Sequence, residues 1–240
     1  MFENRTYRSK ICKSELVSFL VSVKETNLHI QADTNLSQKA VKAILKCRNY
    51  IENYIYKHPE FAKSFIPVKV NKIVPEIINQ MADAGFEANV GPMAAVAGAV
   101  AEYTGKALLE HSKEIIVENG GDIFIKSNTE IVFTIYANKS PFSMKTGLLI
   151  KKKNNPYALC TSSGTLGHSK SYGKADAVTI LSDSAALADA CATSLGNLIQ
   201  NPDDIKKAIN MGKQIKGISG IVIIQNKHIG LWGDLQLVKL

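Results

Sequence analysis

The chain has 240 residues, 45% of them hydrophobic and 21% charged, and a formal net charge of +8. That length and balance exclude a fibrous or disordered chain and suffice for a sizeable core without disulfide staples. Apart from Lys151-Lys152-Lys153 the basic residues are dispersed, without interleaved aromatics, so the pattern argues against nucleic acid as a partner and leaves an attraction for small anionic ligands.

Residues 16–23 and 28–32 predict two strands joined by a turn around Glu25-Thr26-Asn27. Asp33, Thr34 or Asn35 then caps a helix on which Ala40, Ile44, Cys47, Ile51 and Ile55 recur at helical spacing down to Lys57. Pro59 ends it, and a connector holding Pro67 and Pro75 leads to a short helix over 77–84 closed by Gly85. Pro92 opens a long helix over 93–112 whose first half, rich in Ala and Gly98, suits a close approach to a sheet, a ligand, a neighbouring helix or a second copy in a homo-oligomer.

Strands over 114–118 and 123–126 flank the turn Asn119-Gly120-Gly121-Asp122, where the glycines allow positive φ and a close backbone approach. Strands over 131–136 and 146–151 follow, then the turn Asn154-Asn155-Pro156. A strand over 157–161 delivers Cys160 into a loop of hydroxyls and glycines. A buried strand over 177–181 precedes a helix with Ser182, Asp183 and Ser184 as candidate N-caps. A helix from Pro202 to about Gln214, a hairpin of 221–224 with 229–232, and a last edge strand in 235–240 close the chain. Antiparallel hairpins with helices between them predict an α+β fold, antiparallel sheets with packed helices, in a single domain over 1–240.

Four cysteines occur, Cys12, Cys47, Cys160 and Cys191, with no C-x-x-C pair, so a zinc site is not expected. The polar start is unlike a signal peptide, and no apolar run reaches the about 18 residues of a membrane span. The expectation is a cytoplasmic protein with reduced thiols and no membrane partner.

The chemistry concentrates between Cys160 and Asn197. Thr161, Ser162, Ser163, Gly164 and Thr165 offer hydroxyls and freed amides for a phosphate, although no Walker A sequence or nucleophile elbow is present. His168 is a candidate general base or a solvent-exposed loop histidine. Cys160 is a candidate nucleophile or sulfur carrier, which would require partial exposure and a cationic or helix-terminal neighbour, or else a small buried residue at a strand end. Asp189 and Thr193 are four apart and share one face of an Ala-rich helix, a pairing that suits a hard cation or a phosphate-bearing ligand.

Three stretches together resemble the ApbE superfamily of flavin transferases, and more closely a short ApbE-like branch found in archaea and bacteria. They are Val90-Gly91-Pro92-Met93 before the Ala-Gly helix, Asn119-Gly120-Gly121-Asp122-Ile123, and Ala188-Asp189-Ala190-Cys191-Ala192-Thr193. The resemblance implies an ApbE-like, T-fold-like architecture and a flavin site (FAD or FMN) at Asn119, Gly120, Gly121 and Asp122. It also implies Mg2+ on Asp189 and Thr193 beside a pyrophosphate. Two positions depart from the transferases: Ala97, not lysine, precedes Gly98, and His168 is followed by Ser169-Lys170-Ser171-Tyr172-Gly173 in place of an aspartate-proline-x-x-glycine segment. The short branch adds a second expectation, sulfur transfer in homocysteine biosynthesis through Cys160, alone or with a partner enzyme. A third is a metabolite-binding protein without catalysis.

Overall fold

A computed structural model describes residues 15–71, 73–164 and 172–240. Its frame is an antiparallel sheet of eight strands in the order β1-β2-β3-β4-β7-β8-β9-β10. These are β1 Val17–Val23, β2 Thr26–Ala32, β3 Ile115–Asn119, β4 Asp122–Lys126, β7 Tyr157–Ser162, β8 Ala177–Ser182, β9 Ile218–Gln225 and β10 His228–Gly233. A second sheet, of order β11-β6-β5, joins β5 Ile131–Thr134, β6 Thr146–Ile150 and β11 Gln236–Lys239. The closing strand is therefore an edge, but of the smaller sheet.

Side chains alternate across a strand, so each central strand feeds two cores. Val117, Phe124, Val178, Ile180, Ile221 and Ile223 pack toward the helices. Ile116, Ile123, Ile125, Leu181, Val222 and Ile224 pack toward Phe133, Leu148 and Ile150 of the small sheet. The helices are α1 Ser37–Lys57, α2 Glu60–Lys63, α3 Glu76–Ala88, α4 Val96–Leu108, α5 Ala185–Leu198 and α6 Asp204–Gly212. α5 lies centrally, touching α3, α4, β7 and β8.

Three sequence expectations change. Gly85 does not end α3; it is buried inside it, and a Cβ there would stand 2.8 Å from the Val90 carbonyl oxygen. Asn89 closes that helix instead, in the left-handed conformation at φ 55°. The helix from Pro92 starts as a 3-10 turn over Pro92–Ala95 and ends at Leu108 rather than near residue 112. The α1 start has no side-chain cap; Asn35 accepts the Ser37 N–H (3.0 Å) just outside it. No helix among the described residues is long and apolar enough to cross a membrane.

Candidate functional site

The turn between β3 and β4 is the two-residue hairpin that the glycines predicted. Gly120 (φ 71°) and Gly121 (φ 115°) both take left-handed geometry. Glu118 accepts the Gly121 N–H (3.1 Å), and the Thr161 N–H reaches the Gly121 carbonyl (3.2 Å), so β7 grips the turn. Asn119 donates its side-chain amide to the Ala97 carbonyl (3.0 Å), tying the turn to the first turn of α4.

One residue on, the Gly98 N–H donates to Asp189 Oδ2 (2.9 Å). Gly98 has no room for a side chain: a Cβ would lie 2.7 Å from the Ala185 carbonyl carbon and 2.9 Å from the Asp189 Cβ. The small first half of α4 is thus used to press against α5.

Asp122 opens β4 on its helix-facing side, in register with Cys160 of β7. Asp122, Cys160 and Asp189 therefore converge under α5. Asp122 is buried, and its Oδ1 has no hydrogen-bond partner. Burial raises its carboxyl well above the usual range, and the Asp189 and Glu118 carboxylates push it further, against the pull of the Cys160 thiol and the Thr161 amide. Burial likewise lifts Asp189 to about 7, opposed by the Gly98 and Ala97 amides. No cation among the described residues pairs with either acid, and two crowded acids without a counter-charge hold a proton or need a cation.

The donor set fits a hard cation. Asp122 and Asp189 supply carboxylate oxygens, and Thr193 stands half-buried one turn beyond Asp189. Among the described residues no group of three or more His, Cys, Asp or Glu has metal-holding geometry, so a cation here would rest on two protein carboxylates at most. That suits Mg2+, which takes one or two carboxylates and fills the rest with water and ligand phosphate.

Cys160 does not have a nucleophile's surroundings. It is fully buried, its thiol donates to the Ala185 carbonyl (3.4 Å), and burial with the nearby Asp122 and Asp189 raises its pKa. Partial exposure is missing and no described cation stands beside the thiol, although Ala185, whose carbonyl it reaches, is the first residue of α5. Cys191 is core, with its thiol pushed up to about 12 by burial.

The hydroxyl loop divides. Thr161 pairs its hydroxyl with Thr179 (2.9 Å) on the sheet face turned away from Asp189, because its neighbour Cys160 faces the helices. Ser162 returns to the helix side and is buried, and Ser163 is half-buried. Gly164 donates its N–H to the Ala175 carbonyl (3.0 Å) and packs on the Gly173 backbone, so its missing side chain serves a chain crossing. Thr165 and His168 lie outside the described residues.

Sequence reasoning missed two acids. Glu118 holds the turn, and Glu102 of α4 accepts the first amide of α5. Each is a lone acid in an apolar run, Ile115-Ile116-Val117-Glu118 and Ala99-Val100-Ala101-Glu102, and that contrast was the available signal.

A family model described as AbpE bacteria matches residues 9–231. A UPF0280 protein of Methanococcus aeolicus is 42% identical over 226 residues, covering 91% of this chain and 91% of the relative. A UPF0280 protein of Archaeoglobus fulgidus is 39% identical over 223 residues, covering 90% and 92%. Among solved structures, flavin transferase ApbE from Vibrio cholerae superposes with a TM-score of 0.54 at 13% identity, covering 92% of this chain and 97% of that one. The apo flavinyl transferase ApbE of Pseudomonas stutzeri does so with a TM-score of 0.57 at 11% identity, covering 91% and 94%. At such identities the structural likeness establishes the fold alone, and the architecture is ApbE-like.

Proposed function

The chain belongs to the family described as AbpE bacteria, and we propose that it binds an anionic, phosphate-bearing ligand of the nucleotide or flavin class through Mg2+. The observation that carries this reading is the buried, unpartnered Oδ1 of Asp122, on a carboxyl that Asp189 is near enough to raise. A buried carboxylate pair short of positive charge is what a bound cation relieves. Asp122, Asp189 and Thr193 would hold the ion. The Gly120-Gly121 turn brings backbone rather than side chains to one wall, so a ligand can approach it closely. When bound, Mg2+ supplies neutralisation of phosphate charge and polarisation of a phosphoryl oxygen. The names of the structural neighbours support FAD or FMN as the first ligands to try.

The test is thermal unfolding with Mg2+, FAD, FMN and ADP, alone and in combination. A ligand at a hundred times its Kd adds about 2.7 kcal/mol, which is about 5–10 °C for a chain of this size. The expected result is a rise with Mg2+ and a nucleotide or flavin together, lost in Asp189→Ala. A wild-type melting temperature unmoved by every combination refutes the reading.

A further inference from the structure

The N-terminus of α5 is anchored twice. Its own Ser184 accepts the Leu187 N–H (3.4 Å), the ordinary local cap. Glu102 of α4 adds a second anchor from another helix: its Oε2 accepts the Ala185 N–H (2.6 Å) and the Ser184 hydroxyl (3.3 Å). Its Oε1 pairs with Lys106 Nζ (2.7 Å). Glu102 is only 3% exposed. Burying a carboxylate is unfavourable unless it is paired, and a helix end already capped by serine does not call for one.

Position explains it. Gly98 and Glu102 are four apart on one face of α4; Ala185 and Asp189 are four apart on one face of α5. Gly98 meets Asp189, and Glu102 meets Ala185. The two helices therefore cross antiparallel with two rungs, one at the candidate site and one at Glu102. The Ala185 carbonyl takes the Cys160 thiol at the same point, so both polar groups of Ala185 are held from outside α5.

We propose that Glu102 is a positioning residue: its grip on Ala185 sets the height of α5 along α4 and thereby the spacing of Asp189 from Asp122. The consequence for ligand binding rests on the cation reading above; the positioning itself does not.

The experiment compares wild type, Glu102→Gln, Glu102→Asp and Ser184→Ala. Hydrogen exchange of the Gly98 amide, which Asp189 protects, is measured without metal against that of Ile180 in the sheet. Mn2+ binding by EPR is the second readout. Glu102→Gln is expected to speed Gly98 exchange relative to Ile180 by about tenfold and to weaken Mn2+ by a factor on the order of ten. Glu102→Asp keeps the charge on a shorter arm and is expected to do the same in smaller measure, which serves if the glutamine variant does not fold. Ser184→Ala loses the local cap and the 3.3 Å contact to Glu102 but leaves the 2.6 Å bond to Ala185, so exchange rises throughout while the Gly98 to Ile180 ratio and Mn2+ affinity change less than in Glu102→Gln. An unchanged ratio in both Glu102 variants, or an equal change in Ser184→Ala, overturns the proposal. If wild type binds no Mn2+, the cation reading fails and the exchange ratio alone decides the role of Glu102.

Discussion

Gly98→Ala tests the crossing of α4 and α5 most directly. In an exposed helix interior this change stabilises by about 1 kcal/mol, because alanine is the better helix former. Here the new methyl would stand 2.7 Å from the Ala185 carbonyl carbon and 2.9 Å from the Asp189 Cβ. Carbon atoms settle about 3.5–4.0 Å apart, so α5 must retreat by about 1 Å. Retreat stretches the 2.9 Å hydrogen bond from Gly98 to Asp189 beyond bonding length. Overpacking of this kind costs about 1–3 kcal/mol, and the lost bond to a carboxylate adds about 1.5–3 kcal/mol. Against the propensity gain the net is a loss of about 2–5 kcal/mol, or about 5–15 °C in melting temperature at this chain length. Urea unfolding of both proteins at constant pH gives the difference. A variant as stable as wild type, with its Mg2+ response intact, would refute the tight crossing and the role assigned to Gly98.

Two further outcomes follow from the same cluster. Asp189 is raised to about 7 in the folded chain, against about 4 unfolded, so between those values the folded state holds the extra proton. Metal-free stability is therefore expected to fall as pH rises from about 4 to about 7 and to level off above. Asp122→Asn removes the second raised carboxyl, so the fall should be shallower and any Mg2+ stabilisation lost; an unchanged slope in pH-dependent urea melts would show that Asp122 carries no extra proton in the folded state. Cys160 is expected to resist iodoacetamide in the native protein and react only on unfolding, as read by peptide mass spectrometry, because the thiol is buried with a raised pKa. An adduct or persulfide on native Cys160 would reverse that and restore the sulfur-transfer reading.

The elements of this fold were legible where one period dominated. The apolar strands at 115–118 and 177–182 and the α1 stripe of Ala40, Ile44, Cys47 and Ile51 show it. The Gly120-Gly121 turn was legible because only glycine takes two successive positive φ angles without strain. What failed was the purpose of a glycine when its φ is ordinary. Gly85 read as a helix stop and Gly164 as a phosphate cradle, yet both are places where another backbone passes within contact distance. Sequence periodicity carries no information on what crosses an element from far along the chain. The hidden role of Glu102 has the same origin, since its partner Ala185 lies 83 residues away. Spacing singled out Asp189 and Thr193 and the resemblance singled out Asp122, but that Asp122 stands beside Cys160 under α5 required the β4–β7 register.

The partial coordination sphere has a consequence for the order of binding. Within the proposed reading, Asp122, Asp189 and Thr193 provide fewer oxygens than the octahedral shell of Mg2+ requires. At neutral pH the two raised carboxyls also hold a proton that the cation must displace. Both facts weaken the cation on its own. A phosphate-bearing ligand corrects each of them, adding oxygens to the shell and negative charge that favours the cation over the proton. Binding of the two is therefore coupled, and by reciprocity each strengthens the other by the same factor. The buried acid pair acts as a filter: an anion without a cation meets two carboxylates, and a cation without an anion meets an incomplete shell.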